Sequence, residues 1–104
     1  MDKDIIKLGD LELNLKKAEL QKQGKILNLT VKEYQLLVYM VHSQGHILSK
    51  RLLLETIWES DYEGYENTLM VHIRNLRSKI EPDPSNPKYI VTVRGLGYKL
   101  VMED

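Results

Sequence analysis

The spacing of apolar residues changes at Thr30, and that change limits what the chain can fold into. Before it, Ile5, Ile6 and Leu8 precede a Gly9-Asp10 turn, and Leu11, Leu13 and Leu15 then recur at every second position. A further run from Ala18 to Lys22 meets Gly24 and resumes as Ile26-Leu27-Asn28-Leu29. Period-two alternation broken by turn residues predicts an antiparallel sheet of three or four short strands. After Thr30, the apolar residues Tyr34, Leu37, Val38 and Val41 stand at i, i+3, i+4 and i+7, the stripe of an amphipathic helix. Thr30-Val31-Lys32-Glu33 is a capping box, in which the threonine hydroxyl and the glutamate carboxylate each accept from the other's backbone N–H.

Gly45 is expected to end that helix, and His46-Ile47-Leu48 reads as an extended link. Ser49 caps a second helix with Leu53, Leu54, Ile57 and Trp58 on its buried face. A third helix runs from about Glu66 to Ile80, and Pro82, Pro84 and Pro87 prevent its continuation. Tyr89-Ile90-Val91-Thr92-Val93, Arg94-Gly95-Leu96-Gly97 and Tyr98-Lys99-Leu100-Val101 then read as strand, turn and strand. The fold class is α+β: an N-terminal antiparallel sheet, three helices and a closing hairpin, in one domain over 1–104.

The third helix has two unlike faces. At 100° per residue Leu69, Ile73, Leu76 and Ile80 share a narrow arc that must be buried. The opposite arc carries Asn67, Val71, Arg74, Asn75 and Ser78, with no acid after Glu66. Arg chelates guanine, Asn chelates adenine and Val meets a thymine methyl, so such a face suits the major groove of duplex DNA. His72, Arg77 and Lys79 flank it, where phosphates lie. Arg94, at the hairpin tip, is placed to enter a narrow minor groove.

Charge supports this polarity. Lysines and arginines equal acids at 15 each, yet 67–80 and 88–100 contain only basic charges, while Glu59, Asp61, Glu63 and Glu66 sit together. Screening over about 8–10 Å makes the local balance the relevant one. The acidic cluster reads as a solvated loop or a protein-contact surface ahead of a divalent-cation site. The absence of cysteine excludes disulfides and thiolate chemistry, and no nucleophile–base pair, cofactor fingerprint or metal constellation points to an enzyme. His42 and His46 have ligand spacing, but Gly45 breaks the helix between them; Gly95-Leu96-Gly97 lacks the third glycine and the following helix of a phosphate loop. With no bilayer-length apolar run and no signal-peptide core, a cytoplasmic setting is expected.

The segments Val71-His72-Ile73-Arg74-Asn75-Leu76-Arg77-Ser78-Lys79 and Thr92-Val93-Arg94-Gly95-Leu96-Gly97-Tyr98 resemble the OmpR/PhoB family of response-regulator effector domains, and the likeness extends over nearly the whole chain. The resemblance implies a winged helix-turn-helix that binds double-stranded DNA and regulates transcription. It implies base contacts from Asn67, Val71, Arg74 and Asn75, and phosphate contacts from Lys50, Trp58, His72, Arg77 and Thr92, with Ser78 and Lys79 beside them. Trp58 is equally readable as core. Arg94 enters the minor groove, and Asp61, Tyr62, Glu63 and Gly64 match a loop that touches an RNA polymerase subunit. Members pair head-to-tail on direct repeats and are switched through a receiver domain, which this chain lacks; it reads as an excised effector domain or a stand-alone relative. Many members carry Arg where Asn67 stands and a basic residue where Asn75 stands, which shifts the expected readout toward adenine. A winged helix devoted to protein contacts is the rival reading, separated by its lack of salt-dependent duplex binding.

Overall fold

The structure, a computed structural model, describes residues 4–58 and 66–102. Four strands form an antiparallel meander: β1 (Ile5–Leu8), β2 (Leu11–Asn14), β3 (Glu19–Lys22) and β4 (Lys25–Leu27). The register aligns Ile6, Leu13, Leu20 and Leu27 as one apolar row across all four strands. Leu8, Leu11, Leu13 and Leu20 are buried, so the alternation seen in the sequence is the sheet's inward face. The strands are shorter than the apolar runs. Ala18 turns at a φ of 54° and β3 starts one residue later, while Asn28 and Leu29 lead into the helix cap.

Helix α1 (Val31–His42) starts at the expected capping box: Glu33 N–H donates to Thr30 Oγ1 at 3.2 Å and Thr30 N–H to Glu33 Oε1 at 2.9 Å. Its buried face is wider than the predicted stripe. Leu36, Leu37, Met40 and Val41 are buried, while Tyr34 and Val38 pack at the margin. The reason is that α1 packs against two other helices and the last strand, not one surface. Ser49 Oγ accepts from Leu52 N–H at 3.0 Å and caps α2 (Lys50–Trp58). Helix α3 (Glu66–Ile80) buries Leu69, Ile73, Leu76 and Ile80, as its spacing requires.

Strands β5 (Ile90–Val93) and β6 (Gly97–Leu100) close the chain as an antiparallel hairpin. The link before α2 joins this hairpin: Leu48 and Tyr98 exchange both backbone hydrogen bonds, at 2.8 and 2.9 Å. The hairpin is thereby anchored beside the start of α2.

Glu33 does more than cap. Its carboxylate is buried and also accepts from Lys79 Nζ on α3 at 2.5 Å, joining helices 46 residues apart. Burial pushes the carboxyl pKa up; the Lys79 hydrogen bond, the Thr30 amide and the charges of Lys79 and His72 outweigh that and hold it below the ordinary value. Because the folded value is the lower one, the ionised group's contribution is complete above the ordinary carboxylate range. It is lost as pH falls through the folded value. Glu33→Gln is therefore expected to lower the unfolding free energy by about 1–3 kcal/mol at neutral pH. It should also flatten the acid limb of a stability–pH curve measured by denaturant unfolding; an acid limb as steep as wild type would remove Glu33 as its source.

Candidate nucleic-acid interface

The outward arc of α3 is free. Asn67, Val71, Arg74, Asn75 and Ser78 are all exposed, directly opposite the buried leucine–isoleucine stripe. Met70 joins them at 48% exposure, beside Val71 at 42%. The helical angle of Met70, between the core stripe and Arg74, is the signal in the sequence that places it here. The two exposed apolar side chains give this arc a surface that loses water readily on contact.

A concavity of about 550 Å³ runs between α3 and the hairpin. Asn67, Val71, Arg74 and Arg77 line it from α3, Thr92 and Tyr98 from the hairpin, and Lys50 from the start of α2. Residues expected to act together thus meet on one surface. Lys50 also lines a second concavity of about 420 Å³ with residues 92–97. At the hairpin tip, Leu96 N–H donates to Val93 C=O at 2.9 Å, and Gly95 takes a φ of 81° at the third place of that turn. Arg94 occupies the second place and is exposed.

The two flanks of α3 differ. On one, His72 meets Trp58 edge to face with centroids 5.1 Å apart, and Lys32 Nζ lies 5.6 Å from the Trp58 ring centre. Trp58 is half-buried at this edge. His72 Nδ1 lies 2.7 Å from Thr68 C=O, an acceptor, so Nδ1 carries the proton. The remaining nitrogen, Nε2, can donate only in the imidazolium. Lys79 was expected on a phosphate; the structure turns it to Glu33 instead, because that buried carboxylate needs a counter-charge. Ser78 Oγ donates to Asn75 C=O at 2.6 Å, which spends its only proton within the helix.

On the other flank Arg77 reaches the hairpin. Its Nε and Nη2 donate to Ile90 C=O at 3.0 and 2.8 Å, and Nη2 also donates to Thr92 Oγ1 at 2.8 Å. The guanidinium lies 5.7 Å from the Tyr98 ring centre. This leaves Nη1 uncommitted among the described residues, and leaves the Thr92 hydroxyl proton available to an outside acceptor.

Glu81, directly before the prolines that end α3, has a role that local patterning does not indicate. It is 3% exposed, and its carboxylate accepts the N–H groups of Lys88, Tyr89 and Ile90 at 2.8–3.1 Å. An acid placed just past a helix and just before a buried strand was the available signal. The expected polymerase-contact residues Asp61, Tyr62, Glu63 and Gly64 lie outside the described residues. Among the described residues no group of three or more acids and histidines is arranged to hold a metal ion, and no helix is long and apolar enough to cross a membrane.

Residues 23–100 match the family described as "Transcriptional regulatory protein, C terminal". The chain is 40% identical over 99 residues to the sensory transduction protein RegX3 of Mycolicibacterium smegmatis, covering 95% of this chain and 43% of that protein. It therefore spans less than half of that relative. Its fold superposes on the response regulator DrrB of Thermotoga maritima, described as an OmpR/PhoB homologue, with a TM-score of 0.87 and 30% identity, covering 96% of this chain and 45% of that one. It also superposes on the RstA DNA-binding domain of Klebsiella pneumoniae, solved in complex with the RstA box, with a TM-score of 0.82 and 25% identity over 93% of this chain and 96% of that one.

Proposed function

Because this chain belongs to the family of C-terminal domains of transcriptional regulatory proteins, with the winged-helix fold of the OmpR/PhoB type, we propose that it binds double-stranded DNA sequence-specifically as the output domain of a two-component response regulator. The observation that carries this reading is the outward arc of α3: exposed, acid-free from Asn67 to Ser78, and continuous across one concavity with Lys50 and Thr92. In this reading α3 lies in the major groove, with Asn67, Val71, Arg74 and Asn75 toward base edges. Lys50, His72, Trp58, Thr92 and the uncommitted Nη1 of Arg77 face phosphates, and Arg94 enters the minor groove. Ser78 and Lys79 are left out of it, because the Ser78 hydroxyl donates to Asn75 C=O and the Lys79 ammonium is held against Glu33.

Family membership supports the further proposals of a receiver domain on a separate segment, head-to-tail pairing on direct-repeat half-sites, an RNA polymerase contact through residues 61–64 and a cytoplasmic setting. The test is titration of duplexes selected from a random pool, repeated over a range of salt. Several phosphate contacts predict a log–log slope of about −0.9 per contact and enrichment of one core sequence. No duplex binding at low ionic strength would instead assign the surface to a protein partner.

A further inference from the structure

We propose that Arg77 and Glu81 are positioning residues that aim Arg94, by clamping the base of the hairpin to α3 from both sides of one residue. They stand four apart at the end of α3, so they project from neighbouring turns. Arg77 Nε and Nη2 take the carbonyl of Ile90, and Glu81 Oε2 takes the N–H of the same residue at 2.8 Å. Both polar groups of Ile90 are thereby spent on side chains of opposite charge, one in the last turn of α3 and one on the residue that follows it. Ile90 is fully buried; its bond to Glu81 is buried with it, and its bonds to Arg77 are part-buried.

This residue is the hinge point of the hairpin. Arg94 lies four residues beyond it, about 13 Å along an extended strand. A tilt of about 10° at the base moves the tip by about 2 Å, a third of the roughly 6 Å width of a minor groove. The Leu48–Tyr98 bridge holds β6 to the start of α2. The Arg77–Glu81 clamp holds β5 to α3, and the two together fix the angle between major-groove and minor-groove elements. Glu81, at 3% exposure, reaches DNA only through this effect.

The inference rests on Arg94 reading the minor groove, and the experiment separates the two. Affinities are measured for duplexes sharing the selected core but flanked by A·T-rich or G·C-rich sequence, with wild type, Arg94→Ala, Glu81→Gln, Arg77→Lys and each double variant with Arg94→Ala. A flank preference of about tenfold in wild type, abolished by Arg94→Ala, establishes the premise; without it the minor-groove reading fails, and this inference with it. Given the premise, Glu81→Gln and Arg77→Lys should each reduce the preference to about twofold or less, and adding Arg94→Ala should change little further. In Glu81→Gln, a change away from the DNA-facing surface, discrimination between selected and scrambled cores should persist. Partial unfolding lowers every affinity by one factor and leaves the flank ratio intact, so the ratio reports aim rather than stability. If either variant fails to fold by circular dichroism, the other carries the test. A full flank preference in a folded variant overturns the proposal, and for Arg77→Lys it returns Arg77 to a phosphate role alone.

Discussion

Gly97→Ala is expected to destabilise the domain by about 3–5 kcal/mol, combining backbone strain with an overpacked contact. Gly97 has a φ of 143°, a conformation that residues with a side chain rarely adopt. A Cβ built there lies 2.1 Å from the carbonyl oxygen of Leu48 and 2.9 Å from Ser49 Cα. Both are backbone atoms, so no rotamer change makes room. The clash falls where Tyr98 and Leu48 exchange their hydrogen bonds, next to the cap of α2. Relief requires the hairpin to part from the link, which removes the bridge and disturbs Ser49. Gly95 is the control: its φ is 81° but a Cβ there meets nothing within 4 Å. Gly95→Ala should therefore cost only the left-handed backbone term, about 1–2 kcal/mol. For a domain of this size the difference is a separation of about 8 °C or more in melting temperature. Equal losses at the two glycines would show that the hairpin–link contact has room to spare.

That contact marks where sequence reading reaches its limit. The capping box at Thr30, the Ser49 cap and the stripe of α3 all stand as the residues predict, because each is set by neighbours within about four positions. The outward arc of α3 follows from its buried stripe, so the free placement of Arg74 and Asn75 was legible as well. What the sequence did not reveal is pairing at long range. Glu33 was readable as a cap but not as the partner of Lys79, 46 residues on. Charged side chains near a helix end are assigned to solvent by default, and that default fails where a buried acceptor needs a charge. The same default hid Glu81, and it hid the internal partners of Lys79 and Arg77, the Glu33 carboxylate and the Ile90 carbonyl. Leu48 read as an extended link; its bridge to Tyr98 depends on a hairpin 50 residues later.

Arg74→Ala should reduce affinity for the selected duplex by about 5- to 150-fold, the 1–3 kcal/mol of a bidentate base contact. Arg74 stands on the outward arc of α3, one turn from Met70 and two turns from Asn67. It lines the concavity with Val71 on its N-terminal side, so a base edge meeting its guanidinium is also shielded by the exposed methyls of Val71. Among the described residues its guanidinium has no partner within the protein, unlike that of Arg77. No internal bond has to break before it reaches DNA, and removing it leaves no buried group unsatisfied. The loss should therefore appear in binding and not in folding, with a melting temperature close to wild type. Arg74→Lys separates charge from geometry. A lysine keeps the charge that attracts phosphate but lacks the planar fork that matches guanine. If Arg74 reads a base, lysine should behave like alanine on the selected core and like wild type on random duplex. If the residue serves the backbone, lysine should restore most of the affinity on both duplexes, and alanine should weaken both by the same factor. The second pattern would take the central readout position away from Arg74 and leave specificity to the asparagines on either side.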